Sequence, residues 1–392
     1  MLALAMASRG PAAEPPAAPV TPAKQPEAKP AENVYTPDPS YKPTRDLSSF
    51  FAKIKSGRPV TVMGIGGSVT EGHSWAAISA EWLQKEYPGK QIRYVDGAWG
   101  GRGPDMTVFR FRRDHLPHHP NLVFIEYAVN CYGTKEETFK ALDGMVQQLL
   151  RQPQKPDIVF VYVGNEKGER GLEKVQPLAR YYGFIEVDPR AYLQKKLDAG
   201  ALTWKDFAGD QIHPNQKGHA IYAEPVIEMF KQQSELAAKP TPTPPVPAPC
   251  YSDDWTTALI VPITAAQADE NWKAIAPNYY GGALDEIYET DQVGATMTFT
   301  ANTTSLGVYV VMTTDSGVLG WSIDGGPENE KNMTHQYVSK ANWWIQNVMF
   351  AKDLPPGKHT LKLTVKPKSK ISTGNFVRIA GFCVTNPKPA AK

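Results

Sequence analysis

Gly64-Ile65-Gly66-Gly67-Ser68-Val69-Thr70-Glu71-Gly72 continues a β-branched run that begins at Pro59, and its reading decides the fold of the first half of the chain. A short apolar run that ends in small residues predicts a buried parallel strand feeding a tight turn, and the turn lifts the Ser68 hydroxyl into the crevice at the sheet's carboxyl edge. Outward from it, residues 92–95, 122–127, 158–163 and 184–187 read as further strands. Residues 75–87, 135–151, 172–182 and 216–230 carry apolar side chains at helical spacing, for example Met145, Leu149 and Leu150. The repeated strand–helix–strand unit predicts a three-layer α/β domain around a parallel sheet.

Beyond Cys250 the pattern changes to alternating strands at 295–300, 306–312, 359–365 and 376–383, with turns at Asp315-Ser316-Gly317 and Asp324-Gly325-Gly326. That predicts an all-β domain, an antiparallel β-sandwich. With 392 residues, two cores are the expectation. The 35 prolines cluster and mark what lies between. The boundaries read as a leader at 1–43, an α/β domain at 44–235, a Pro-rich linker at 236–249, the β-domain at 250–387 and a tail at 388–392. As polyproline helix the linker could extend ~40 Å.

The leader's first residues, Met1-Leu2-Ala3-Leu4-Ala5-Met6-Ala7, read either as the end of a signal peptide's apolar region, without its basic start, or as an Ala-rich disordered tail. A formal charge of +2 offers no basic face for nucleic acid, and no run approaches the ~20 apolar residues of a membrane span. Cys250 and Cys383 sit at the two ends of the β-domain, where paired terminal strands could bring them into a disulfide suited to a periplasmic or extracellular protein; the alternative is free buried thiols.

Chemistry enters with Gly209-Asp210-Gln211-Ile212-His213-Pro214-Asn215. A serine hydroxyl is a weak nucleophile until an imidazole accepts its proton, and a carboxylate fixes that imidazole's tautomer. Asp210 and His213, three apart, can converge on Ser68. The glycine-rich turn is not a nucleotide site: a dinucleotide fold needs Gly-x-Gly-x-x-Gly and a P-loop needs Gly-Lys-Ser/Thr, and neither is present.

On Gly66-Gly67-Ser68 and Asp210-Gln211-Ile212-His213 the sequence resembles the SGNH (GDSL-like) hydrolase family over about residues 45 to 232. The resemblance implies a catalytic triad of Ser68, Asp210 and His213. Two more blocks match: Asp96-Gly97-Ala98-Trp99-Gly100-Gly101 and Glu126-Tyr127-Ala128-Val129-Asn130. They imply an oxyanion hole of the Ser68 N–H, the Gly101 N–H, with Gly100 as its near alternative, and the Asn130 amide. Gly67 replaces the Asp of the eponymous motif, and Cys131 the Asp that often follows the block asparagine.

Such chemistry calls for no metal or organic cofactor. His115, His118 and His119, in a Pro-flanked loop, match no tetrahedral zinc spacing and read as solvated. His73 is a candidate for the site entrance, and His219 reads as structural. Trp75 and Trp99 are either pocket walls or core, and Arg102 either a substrate contact or a surface ion pair.

Within the family, the Gly-Gly-Ser-Val-Thr-Glu-Gly opening and the Ser-Ile-Asp-Gly-Gly segment of the β-domain look like bacterial carbohydrate O-acetylesterases that carry a jelly-roll module. That resemblance implies a secreted or periplasmic esterase acting on an acetylated polysaccharide or oligosaccharide, whose sugar rings Trp272, Tyr279, Tyr280, Trp321, Trp343 and Trp344 could stack on. The alternatives are a lysophospholipase or thioesterase, and a glycan-binding protein using the hydrolase fold as scaffold. Oligomeric state is not legible.

Overall fold

A computed structural model describes residues 40–238, 244–251, 253–276, 284–335, 338 and 343–385. Residues 1–39 of the leader with its signal-like start, the terminal tail, Tyr279 and Tyr280 lie outside the described residues.

The α/β half runs α1 (Ser48–Lys55), β1 (Val60–Gly66), α2 (Trp75–Glu86), β2 (Ile92–Asp96), α3 (Pro104–Asp114), β3 (Leu122–Glu126), α4 (Lys135–Leu150) and β4 (Asp157–Val161). It continues through α5 (Leu172–Tyr181), β5 (Ile185–Val187), α6 (Pro189–Asp198), the single turn α7 (Trp204–Phe207) and α8 (Gln216–Glu235). The five strands form one parallel sheet in the order β2-β1-β3-β4-β5. β1 is buried along its whole length, as a strand covered by helices on both faces must be. Because β1 lies between β2 and β3, the loops that follow these three strands meet at one edge.

The sequence reading missed α1, α3, α6 and α7. Of these α3 matters most: it opens on Pro104, whose fixed φ and missing N–H suit a first helical position, and it buries Met106, Val108, Phe109 and Phe111. Its helical turn also carries His115 inward, which corrects the reading of that residue as solvated. His115 is buried, stacks on Phe111 and hydrogen-bonds the Gly97 carbonyl through Nε2 at 2.9 Å. Burial above all, with Arg110 adding, pushes its pKa down to about 3.

The β half contains β6 (Ala258–Pro262), β7 (Gln267–Ala268), β8 (Lys273–Ile275), β9 (Ile287–Thr290), β10 (Thr296–Thr303), β11 (Ser305–Met312) and β12 (Val318–Ile323). It ends with β13 (Asn329–Asn332), β14 (Trp344–Ala351), β15 (Gly357–Lys366) and β16 (Val377–Thr385). Two antiparallel sheets result, β13-β12-β15-β10-β7 and β14-β11-β16-β9-β8, with β6 on the far part of β16. Their facing sides share a core in which Phe299 stacks on Phe382. Trp272 belongs to that core and Trp321 stacks on Phe350, so neither reads as a free sugar platform.

The other side of the β14-β11-β16 sheet packs on α3 and α4. Tyr309, Val311, Ile345 and Cys383 share one apolar cluster with Phe109, Phe111, Met145 and Leu149. Trp255, in the turn before β6, lies on Phe109, and its backbone approaches α4 so closely that a Cβ on Gly144 would sit 2.6 Å from the Trp255 carbonyl. The two halves are therefore joined by a continuous core. The described end of the linker is held too: Pro247 and Ala248 carbonyls accept from Gln147 and Tyr181, and the Tyr251 N–H donates to Asp143.

The disulfide expectation is also corrected. Cys250 and Cys383 are free thiols, as is Cys131. Cys383 lies in mid-strand between Gly307 and Ile260, in the ladder where its neighbours are strands β11 and β6. Cys250 lies outside any strand, just past the linker end that packs beside α4, so no terminal-strand pairing brings the two together.

Candidate active site

Ser68 sits in the turn directly after β1, where the Gly67 carbonyl accepts from the N–H groups of Thr70 and Glu71. The loop after β2 is stitched to the same strand, Gly97 N–H to Gly64 O at 2.8 Å and Trp99 N–H to Gly66 O at 3.0 Å. Asn130 arrives from β3 on the opposite side. Its side-chain amide occupies the space a larger residue 67 would need, since a Cβ on Gly67 would lie 2.0 Å from Asn130 Oδ1. With the amide placed as it is here, a side chain at 67 enters only if Asn130 moves.

The Asp210–His213 loop is built by its neighbours. Ala208 bridges Pro214, the Glu166 N–H donates to Gln211 O at 2.8 Å, and Trp204 Nε1 donates to Asp210 O at 2.7 Å. Asn215 caps α8 by accepting from the Gly218 N–H, which stops the loop at a fixed point. Within it Asp210 Oδ1 accepts from the N–H groups of Ile212 and His213, both at 2.7 Å, and Oδ2 lies 2.8 Å from His213 Nδ1. His213 Nε2 is 2.8 Å from Ser68 Oγ. The structure therefore brings the three predicted residues into one hydrogen-bonded relay. The His213 backbone N–H, assisted by its ring and by Ile212, holds the Asp210 carboxyl down at about 2, so it is ionised at neutral pH.

The relay is open: the His213 and Asp210 side chains are 49% and 57% exposed. Water can reach the ring, as hydrolysis of an acyl-enzyme requires.

Asn130 is buried, and its Nδ2 donates to the Tyr132 hydroxyl at 3.0 Å. Of the two glycines, Gly100 lies nearer the nucleophile, with a Cβ there 3.5 Å from Ser68 Cβ. Gly101, at φ +68°, lies under Trp344 of the β-domain, where a Cβ would be 2.7 Å from Cη2. Beneath the turn is a residue the sequence reading did not single out. Glu126 is fully buried, accepts from Thr70 Oγ1 at 3.0 Å and from the Ala128 N–H at 3.0 Å, and so ties the serine turn to the asparagine turn. Burial raises its pKa to about 7.

The remaining candidates fall to either side. His73 is exposed at the flank, with Nε2 2.6 Å from Glu81 and Nδ1 3.1 Å from Gln216. His219 is half-buried in the first turn of α8, and burial, with His73 and His213 adding, lowers its pKa to about 4. Trp75 is core against Phe124, not a pocket wall. Trp99 is partly buried and stacks with Arg102 and Arg110. Arg102 is not an exposed ion pair: it is 5% exposed and bonds the carbonyls of Gly100 and Ile345. It lines a cleft of about 280 Å³ between the two halves, together with Gly101, Asp105, Tyr132, His335, Trp344, Gln346 and Asn347 among others. Among the described residues no cluster of three His, Cys, Asp or Glu side chains could hold a metal ion, and no helix is long and apolar enough to cross a membrane.

The GDSL-like Lipase/Acylhydrolase family matches residues 64–221, a segment that contains every residue of the relay. No curated protein matches the sequence. Among solved structures, a two-domain esterase active on acetylated mannans, co-crystallised with mannopentaose, superposes with a TM-score of 0.77 at 17% identity, covering 90% of this chain and 97% of that one. A second structure of a two-domain esterase active on acetylated mannans gives 0.76 at 18%, covering 87% and 95%. At these identities the likeness is one of fold, and it extends through both halves.

Proposed function

We propose that this chain, whose residues 64–221 form a GDSL-like acylhydrolase domain, is a secreted or periplasmic serine esterase that removes O-acetyl groups from a polysaccharide. The observation that carries the reading is the relay Ser68 Oγ–His213 Nε2–His213 Nδ1–Asp210 Oδ2, with both contacts at 2.8 Å, beside a buried asparagine amide.

In this mechanism His213 Nε2 takes the Ser68 proton as Oγ attacks the acetyl carbonyl. Asp210 holds the ring in the tautomer whose Nδ1–H faces the carboxylate and stabilises the imidazolium. Charge developing on the carbonyl oxygen is met by the N–H groups of Ser68 and of the Gly100–Gly101 segment and by the Asn130 amide. The imidazolium then returns the proton to the sugar oxygen as it leaves. Water, deprotonated by the same ring, attacks the acetyl-Ser68 ester, and acetate departs with Ser68 restored.

A sugar ester is favoured by the interdomain cleft. It adjoins Gly101 and presents the charged Arg102 and Asp105, the Tyr132 hydroxyl and the amides of Gln346 and Asn347, a polar lining suited to hydroxyl-rich rings rather than acyl chains. The two-domain architecture shared with the mannan esterases supports the same choice.

The test is acetate release from acetylated mannan, xylan and xyloglucan, with Ser68→Ala as control, together with p-nitrophenyl esters from acetyl to octanoyl. Ser68-dependent acetate release from at least one polysaccharide and a preference for acetyl are expected. A preference for octanoyl would favour the lysophospholipase or thioesterase alternative. Glycan affinity without any Ser68-dependent turnover would leave a binding protein.

A further inference from the structure

We propose that Arg102 is a positioning residue: anchored on the β-domain, its guanidinium locks the Gly100–Gly101 peptide so that the Gly101 N–H faces the oxyanion beside Ser68. The proposal rests on the esterase reading above and assigns the β-domain a duty in the chemical step as well as in substrate capture.

The Arg102 N–H donates to Trp99 O at 3.2 Å, closing a four-residue turn whose third position, Gly101, has φ +68°. A positive φ at that position is the mark of a type II turn. Type I and type II turns differ by a flip of the central peptide, here the one joining Gly100 to Gly101. In a planar trans peptide the C=O and N–H point in opposite directions, so holding one aims the other.

Arg102 Nη1 donates to that Gly100 carbonyl at 2.9 Å, while its Nε donates to Ile345 O on β14 at 2.8 Å. The guanidinium carbon lies 3.3 Å from the centroid of the Trp344 ring and 5.2 Å from that of Trp99. The partners of this buried cation are two backbone carbonyls and two indole rings, with Glu71 acting on it at longer range. That is a costly way to place a charge unless its geometry matters. On the other side of the same turn, Gly100 faces Ser68. The carbonyl is thus drawn toward the β-domain, and the opposed N–H is turned away from it.

The substrate for the test is p-nitrophenyl acetate, too small to need a sugar site. Arg102→Ala is expected to lower kcat 10- to 100-fold with KM changed less than threefold, because a misdirected oxyanion donor is missed in the transition state. Millimolar guanidinium should restore part of that kcat in the variant and leave the unmutated enzyme unchanged. Asp353→Asn breaks a different contact between the same two halves, the 3.0 Å Lys140–Asp353 pair, and should keep kcat within twofold.

A kcat within twofold in Arg102→Ala overturns the proposal, and so does an equal loss in Asp353→Asn, which would mean that domain docking in general is at work. Should Arg102→Ala fail to fold, Arg102→Lys decides: it keeps the charge but cannot bridge both carbonyls, and an unchanged kcat overturns the proposal as well. An unmutated enzyme inert on every ester sinks the esterase reading and this proposal with it; an active one with unaffected variants sinks this proposal alone.

Discussion

Replacing Gly67 by Ala tests whether the asparagine amide beside the nucleophile does chemical work. The backbone there permits alanine, since Gly67 is not in the left-handed region, so space alone decides the effect. The new methyl would lie 2.0 Å from Asn130 Oδ1, 2.3 Å from Cγ and 2.8 Å from Nδ2. To reach ordinary contact the amide must retreat by about 1.5 Å. That exceeds what an oxyanion donor tolerates, because useful donors stand within a few tenths of an ångström of their acceptor position. The expected loss is that of removing one donor, about 10²- to 10³-fold in kcat or roughly 3 to 4 kcal/mol, with KM for p-nitrophenyl acetate little changed. Overpacking should cost a further 1 to 3 kcal/mol of stability, roughly, measured by urea unfolding. The decisive comparison is a double-mutant cycle with Asn130→Ala. If the methyl acts by displacing the amide, the double variant falls no further than Asn130→Ala alone. Gly67→Ala retaining more than half of kcat, or losses that multiply, would refute the reasoning.

Other outcomes follow from the same geometry. Asp210→Asn should lower kcat by about 10³- to 10⁴-fold at neutral pH, since the amide no longer enforces the tautomer of His213; steady-state rates on the acetate ester check this. Glu126→Gln should become more stable relative to the unmutated protein as pH rises. Burial raises the folded pKa of Glu126 to about 7, so its protonated form supports the fold fully below the unfolded value near 4.5, and that support is lost as pH climbs toward and through 7. Urea midpoints compared at pH 5 and pH 8 read the change, which is at most about 3 kcal/mol. Arg378→Leu should destabilise the protein by about 2 to 4 kcal/mol, because it removes the shared partner of Glu289 and Asp315, and a lowered urea midpoint with ordinary ester turnover in dilute buffer is expected.

The parts of this molecule legible in its sequence are those written locally. Strands β1, β3 and β4 announce themselves as apolar runs rich in Val and Ile because both faces are covered, and α4 shows its apolar spacing because one broad face is buried. The relay was legible because its residues fall in two short blocks whose spacing alone constrains them. Helix α3 was hidden because five of its eleven residues are charged, although its Phe and Val side chains still meet Trp255 and Tyr309. His115 was misread for the same reason. What the sequence could not carry is which halves touch: Arg102 and Trp344 are 242 positions apart, and their stacking follows from the placement of the β14 sheet on α3. The Gly67–Asn130 contact is of that kind as well. A glycine in place of the motif's Asp was visible, and the amide packed beside it was not.

The central claim is that Ser68 carries the acetyl group between substrate and water. The most direct measurement is mass spectrometry of the enzyme quenched from acid within milliseconds of mixing with excess p-nitrophenyl acetate. The account predicts one acetyl group on the peptide that contains Ser68, absent in Ser68→Ala and formed far more slowly in His213→Ala. Turnover at an undiminished rate in Ser68→Ala, or acetyl found on another residue with Ser68 unmodified, would contradict it.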